Sequence, residues 1–153
     1  MSASATLTSA TLLFQHPQAR ERARRIRGPL QPWQASKLRE YIDAHISDPI
    51  VVADLCTLVG LGEWRFTRSF KRTFGMPPHA FVVRRRLELA TQHMLQTDAP
   101  LSDIALQCGF TDQAHFGNRF REATGLTPAA WRRSYWTRDS RPPTADAASA
   151  LWR

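Results

Sequence analysis

Residues 54–81, DLCTLVGLGEWRFTRSFKRTFGMPPHAF, decide the fold, because the chain repeats their pattern. The pattern returns at residues 103–131 as DIALQCGFTDQAHFGNRFREATGLTPAAW. Gly60 matches Gly109 at an offset of 49 and later positions match at an offset of 50, so the second copy has one extra residue after its turn. Each copy is typical of a short helix, a glycine turn and a longer helix. That order is the layout of a helix-turn-helix, whose second helix is suited to the major groove of DNA.

The hydrophobic periodicity predicts about seven helices and no strands, and hence an all-α fold. Two helix-turn-helix subdomains are expected on either side of a long linker helix. The first four predicted helices run from Trp33 to the break at Asp48-Pro49, from about Val52 to Val59, from Glu63 to Phe74, and from Pro78 to about Gln96. The fifth runs from Ser102 to Cys108, the sixth follows a cap at Thr111, and the seventh starts at Thr127-Pro128. The expected segments are a flexible basic arm at 1–32, subdomains at 33–77 and 97–136, a linker helix at 78–96, and a disordered tail at 137–153.

Apolar residues at helical spacing indicate which side of each helix is buried. In the longer helix of each repeat, the buried pairs are predicted to be Phe66 with Phe70 and Phe116 with Phe120. The other residues expected to face inward are Leu38, Tyr41, Ile42, His45, Ile46, Leu55, Val59, Leu61, Phe81, Leu87, Ala90, Met94, Leu95, Trp131 and Tyr135. The glycine between the two helices of each repeat is expected to supply a positive φ.

The composition favours a nucleic-acid partner. Lys and Arg number 21 against 13 Asp and Glu, a net charge of +8, and 19 of the 21 basic residues are Arg. Arginine binds phosphate and guanine with two parallel hydrogen bonds, although an arginine-rich proteome would give the same balance. The arm contributes a net charge of +4 and could add phosphate contacts, but such runs are also commonly no more than solvated.

Several other classes of protein are disfavoured. No apolar run is long enough to span a bilayer, and the first residues lack the pattern of a secretory signal, so a cytoplasmic protein with no membrane partner is expected. Cys56 and Cys108 fit a reducing compartment and fall on inward stripes, which predicts two buried, inert thiols. Neither the cysteines nor the histidines form a pair at metal-ligand spacing, so no metal and no cofactor is predicted.

The longer helix of the first repeat carries a basic and aromatic outer face. With Phe66 and Phe70 pinned inward, the outward residues are Trp64, Arg65, Thr67, Arg68, Lys71 and Arg72. Trp64 and Arg68 lie one turn apart near the helix start, which places Arg68 for a guanine and Trp64 for thymine methyls or sugars. Lys71 and Arg72 are better placed for phosphates. The alternative is a merely solvated face, against which an exposed tryptophan argues.

The matching face of the second repeat is less charged. It comprises Gln113, Ala114, Gly117, Asn118 and Arg121, with His115 and Arg119 at its flanks. Gln and Asn suit adenine, and Ala suits a thymine methyl. A glycine inside a helix costs about 1 kcal/mol relative to alanine, which a close approach of the backbone to DNA would explain, as would simple drift. Helix starts at Glu63, Pro78, Asp112 and Pro128 are expected to offer free N–H groups to phosphates.

The second copy, IALQCGFTDQAHFGNRFREATGLTPAAWR, closely resembles the signature of the AraC/XylS family of bacterial transcription regulators, and the similarity extends from about Trp33 to Arg133. The resemblance implies a seven-helix domain that binds double-stranded DNA and recruits or blocks RNA polymerase. By position, Trp64, Arg68, Gln113 and Asn118 match base-contacting residues of the family. The sequence departs from the family where Asn118 replaces a common Arg, and where Gly62 and Pro77 replace a usual Ser.

The leading hypothesis is therefore a sequence-specific transcription regulator that is not an enzyme, with activation favoured and RNA polymerase as a candidate second partner. Two different recognition faces on one chain predict binding as a monomer. The short segment before the resemblance is typical of the family's small stand-alone activators, or of a DNA-binding fragment of a larger ligand-sensing regulator. Two other hypotheses stay open: a methyl-acceptor enzyme, for which the chain lacks a cysteine cluster, and a protein-interaction antagonist that keeps the fold without binding DNA.

Overall fold

The computed structural model describes residues 28–136, and this part of the chain is built of α-helices without a strand. The helices are α1 (Pro32–Ala44), α2 (Val52–Val59), α3 (Glu63–Phe74), α4 (Pro78–Gln96), α5 (Leu101–Gln107), α6 (Gln113–Thr124) and α7 (Pro128–Trp136). The predicted all-α fold, two helix-turn-helix motifs joined by a long helix, is confirmed. The residue bounds proposed for the subdomains stay a prediction. The predictions for residues 1–27 and for the tail at 137–153 lie outside the described residues.

The two turns of the repeat have the same backbone geometry. Gly60 ends α2 with φ of 65°, and Gly109 follows α5 with φ of 80°. In both turns the N–H of the residue after the glycine donates to the carbonyl oxygen five residues earlier, at 3.0 Å. A residue with a Cβ is strained at such a φ, so glycine is required at both positions.

The buried side chains form two clusters, one around each motif. The first comprises Leu30, Leu38, Ile42, Leu55, Cys56, Val59, Phe66, Phe70 and Val82. The second comprises Leu87, Ala90, Met94, Leu95, Ile104, Ala105, Cys108, Phe110, Phe116, Phe120 and Trp131. Helix α4 contributes to both, with its N-terminal part in the first cluster and the remainder in the second. The motifs are thus packed against opposite ends of one continuous helix. None of the helices in residues 28–136 combines the length and the apolar character that crossing a membrane requires.

The prediction for the end of the first helix was wrong. Helix α1 ends at Ala44, and His45, expected on the inward stripe, is exposed, while Tyr41 and Ile46 are half-buried. The carbonyl oxygens of Ile46 and Asp48 accept hydrogen bonds from the Arg86 side chain instead of continuing the helical ladder. The apolar spacing therefore persists for a few residues beyond the helix itself.

Two further boundaries differ from the prediction. Helix α5 begins at Leu101, one residue before the predicted start, and its last helical residue is Gln107. The N-cap of α6 is Asp112 rather than Thr111, because the Asp112 carboxylate accepts the His115 N–H at 2.7 Å. A carboxylate at this position also interacts favourably with the helix dipole. The predicted Thr127 cap of α7 is confirmed by its bond to the Ala130 N–H at 3.3 Å.

The expected flexible arm does not extend to residue 32. The side chain of Leu30 is buried in the first cluster, and its N–H donates to Thr73 Oγ1 at 2.9 Å. The Ser69 hydroxyl donates to the carbonyl oxygen of Gly28, also at 2.9 Å. Two residues of α3 therefore hold Gly28 to Leu30 in place by hydrogen bonds. Burial of the apolar Leu30 side chain stabilises the same arrangement.

Candidate nucleic-acid interface

The outer face of α3 is presented to solvent because the opposite face is fully packed. Phe66, Ser69 and Phe70 are buried, and they leave the rest of each helical turn pointing away from the first cluster. The exposed residues predicted for this face are Trp64, Thr67, Arg68, Lys71 and Arg72. Arg65, by contrast, is half-buried. Its predicted DNA contact is the weakest of this group.

Trp64 and Arg68 form one unit on this face. The Trp64 side chain is 72% exposed, which makes it the most exposed large apolar residue between residues 28 and 136. The Arg68 Cζ lies 5.5 Å from the centroid of the Trp64 ring, within the range of a cation–π interaction. The stack restricts both side chains at the N-terminal end of α3. A base-reading group held in one orientation loses less conformational entropy on binding.

The charge of α3 is concentrated on the same side. Four residues between Glu63 and Phe74 are basic and one is acidic. Lys71 and Arg72 lie in the last turn, where cations interact favourably with the helix dipole. They lie one turn beyond Arg68 and are suited to phosphates that flank a base contact.

The outer face of α6 is exposed but carries less charge. Gln113, Ala114, Asn118 and Arg121 are exposed, as predicted. A Cβ on Gly117 would meet nothing within 4 Å, so neighbouring side chains do not require a glycine there. Arg119 is paired with Glu122 at 3.0 Å, which leaves its charge partly neutralised.

His115 is separated from the rest of the α6 face. Its ring lies edge-on to the Phe110 ring, with centroids 5.5 Å apart, and its Nδ1 is 3.4 Å from Thr111 Oγ1. The side chain is half-buried and turned towards the turn that precedes the helix. A DNA contact by His115 remains a prediction without geometric support.

The helix starts differ in how many free N–H groups they offer. The N-cap residues Gly62 of α3 and Pro77 of α4 form no side-chain cap. At α6 and α7, by contrast, the caps described above already occupy the N–H groups of His115 and Ala130. Each of these two caps satisfies one N–H of its first turn, so the phosphate sites expected at all four helix starts stay a prediction. The starts of α3 and α4 keep the geometry that suits a phosphate.

The arginine run of the linker helix holds the fold together, which the sequence analysis missed. Arg84 pairs with Glu88 at 3.0 Å, and Arg85 pairs with Asp43 of α1 at 2.9 Å and also with Glu88. Hydrogen bonding to Asp43 raises the pKa of Arg85, whereas burial lowers the pKa of Arg86. The spacing of Arg84 and Glu88, four residues apart, was the available signal for a structural ion pair.

The geometry agrees with what is found in known proteins. A family described as a helix-turn-helix domain matches residues 55–134, which is just over half of the chain. The match spans both motifs and the linker helix between them.

Individual proteins are similar to well over half of the chain. A protein named "Probable transcriptional regulator LumQ" from Photobacterium leiognathi is 37% identical over 92 residues, covering 60% of this chain and 37% of LumQ. The HTH-type transcriptional activator AarP of Providencia stuartii is 28% identical over 99 residues, covering 65% of this chain and 73% of AarP. The chain thus spans little more than a third of the first relative's length.

A solved structure has the same fold. The crystal structure of a transcriptional regulator from Chromobacterium violaceum, described as an AraC-type DNA-binding domain-containing protein, superimposes with a TM-score of 0.62. It is 28% identical and covers 66% of this chain and 90% of the regulator's chain.

Proposed function

Because the chain belongs to the AraC-type helix-turn-helix family of transcription regulators, we propose that it binds a specific site in double-stranded DNA and regulates transcription there. Helices α3 and α6 enter two major-groove segments about one helical turn, ~10 bp, apart on one side of the duplex. The observation that carries the proposal is the exposed Trp64 ring stacked with Arg68 on a basic helix face. An exposed tryptophan of this kind has no role in packing the protein itself.

The two helix faces have different tasks in the proposed complex. On α3, Arg68 binds a guanine and Trp64 packs on a neighbouring thymine methyl or sugar, while Lys71 and Arg72 bind phosphates. On α6, the residues proposed to contact DNA directly are Gln113, Ala114, His115, Asn118 and Arg121. Thr67 and Arg65 complete the contacts proposed for α3.

The proposed function predicts that the full chain selects one sequence from a pool of random duplexes. We expect an asymmetric site with two conserved parts, bound about 10³-fold or more tightly than random duplex at physiological salt. Binding is measured by fluorescence anisotropy at several salt concentrations, because phosphate contacts alone give a steep salt dependence without sequence preference. Equal affinity for every duplex, or no binding, would reject the function.

We further expect one chain on each minimal site, because the two recognition faces differ and both belong to the same chain. Sedimentation of the saturated complex with the selected duplex measures this stoichiometry directly. Two chains on every minimal site would refute the monomer and require a pairing surface elsewhere on the chain.

Activation of transcription through RNA polymerase is part of the proposal. The relative AarP is named a transcriptional activator, and an activator's bound site lies where polymerase can be recruited. The proposed function also implies a cytoplasmic location, because the DNA of a bacterial cell lies there.

We propose no enzymatic activity. A methyl-acceptor reaction requires a nucleophilic thiolate, and the chain has two cysteines, both buried. Burial raises the pKa of Cys108 to about 11, and burial together with Glu63 raises the pKa of Cys56. Both thiols are therefore protonated at neutral pH and have little nucleophilic character.

A further inference from the structure

The loop between α1 and α2 contacts the second motif directly. The Ser47 hydroxyl donates a hydrogen bond to the carbonyl oxygen of Gln107, the last residue of α5, sixty positions away in the sequence. We use the name inter-motif contact for this bond together with the contacts of Arg86 and Gly109 with the same loop. It joins the two motifs at a place other than the linker helix.

Arg86 of the linker helix lies at the centre of the inter-motif contact. Its Nε donates to the carbonyl oxygen of Ile46 at 2.9 Å, and its Nη2 donates to that of Asp48 at 2.7 Å. The guanidinium therefore fixes the loop with two charge-assisted hydrogen bonds in a fork geometry that lysine cannot reproduce. The side chain is half-buried, and water competes less for the part-buried Nε bond than for the exposed Nη2 bond.

Gly109 closes the contact from the side of the second motif. A Cβ at this position would lie 2.5 Å from the Ile46 carbonyl oxygen and 2.8 Å from Arg86 Nε. At the equivalent Gly60 of the first motif, a Cβ would meet nothing within 4 Å. The backbone conformation requires glycine at both positions, but close approach between the motifs requires it only at Gly109.

We propose that Arg86 is a positioning residue that fixes the rotation and separation of α3 relative to α6, and thereby sets the spacer length between the two parts of the DNA site. The inference rests on the proposed function. The linker helix alone allows each motif to rock about its end, whereas a second connection through the loop closes the arrangement. Each added base pair moves one half-site by about 3.4 Å and rotates it by about 34° around the duplex, so a fixed arrangement tolerates few spacers.

The test measures affinity for the selected duplex and for derivatives with one or two base pairs inserted between its two parts. For the unmodified chain, we expect two inserted base pairs to weaken binding about 100-fold, because simultaneous engagement of both helices is lost. The measured quantity is the ratio of the affinity for the original site to the affinity for the lengthened site. In Arg86→Met this ratio should fall to about tenfold or less, because looser motifs bind the original site less well and the lengthened site relatively better. The effect on the ratio distinguishes positioning from a general loss of affinity.

Arg84→Met is the matched control, because Arg84 lies on the same helix and, among residues 28–136, forms its ion pair with Glu88 of that helix. Its ratio should stay at the value of the unmodified chain, and an equal fall in both variants would overturn the proposal. Ser47→Ala removes an independent bond of the same contact, so it should lower the ratio severalfold even if Arg86→Met does not fold. An unchanged ratio in folded Arg86→Met refutes the inference. If Arg86→Met does not fold, an unchanged ratio in Ser47→Ala refutes it. Absence of any specific site for the unmodified chain refutes the proposed function instead.

Discussion

Replacing Phe70 with alanine is expected to lower the free energy of unfolding by about 3–5 kcal/mol. The Phe70 side chain is fully buried, and its ring centroid lies 5.4 Å from that of Phe66, 4.4 Å from that of Phe74 and 5.5 Å from that of Phe81. Removing the ring deletes these contacts and leaves a cavity that three other aromatic rings cannot fill without moving. The loss is a large fraction of the about 5–15 kcal/mol that stabilises a typical domain, so specific DNA binding should weaken as well.

Urea denaturation followed by circular dichroism measures this effect. Phe120→Ala is the equivalent variant in the second repeat and should cost a similar amount, because Phe120 is also fully buried, between Phe116 and Trp131. Leu126→Ala is the control, since that side chain is 45% exposed and should change stability by no more than about 0.5 kcal/mol. If Phe70→Ala were no more destabilising than the control, the buried cluster around the first motif would be wrong.

The fold was predictable where its cause is local. Two phenylalanines one turn apart occur twice, and this spacing alone places Phe66, Phe70, Phe116 and Phe120 on buried helix faces. The turn geometry followed from the glycines for the same reason, because a positive φ is a property of one residue. Helices α2, α3 and α4 accordingly have the predicted bounds.

Two of the errors involve residues that are far apart in the sequence, whereas the start of α5 and the N-cap of α6 were each misplaced by one residue within their own segment. Helix α1 ends at Ala44, and Arg86, some forty residues later, binds two carbonyl oxygens of the loop that follows it. The segment at Leu30 is ordered because Thr73 of α3 binds its N–H. Helical periodicity contains no information on either contact, since both depend on how the helices pack against one another.

The candidate interface was predictable to a similar degree. The buried phenylalanines define the inward face of α3 and of α6, and therefore also the residues that point outward. Nine of the eleven residues proposed to contact DNA are exposed. The other two, Arg65 and His115, are half-buried, and the His115 ring contacts the Phe110 ring. The stacking of Arg68 on Trp64 was likewise not foreseen, although their separation of one turn allowed it.

The first motif is expected to contribute more specificity than the second. Arg68 is a long bidentate donor that is held over the Trp64 ring, whereas Asn118 is short and lies next to a glycine with open space around it. Arg68→Ala should therefore weaken binding to the selected site by about 1–3 kcal/mol and have much less effect on random DNA. Asn118→Ala should cost less than Arg68→Ala on the same site.

Fluorescence anisotropy with the selected duplex and a random duplex measures both costs, after circular dichroism has established that the variants are folded. Arg39→Ala is the matched control, because Arg39 is also exposed and lies over an aromatic ring, 5.2 Å from the centroid of Phe74, but outside the proposed interface. It removes the same charge and the same kind of ring contact, so the ratio of specific to random affinity should not change. A larger loss for Asn118→Ala than for Arg68→Ala on the selected site would mean that α6 is the main reader and would reverse the ranking of the two helices.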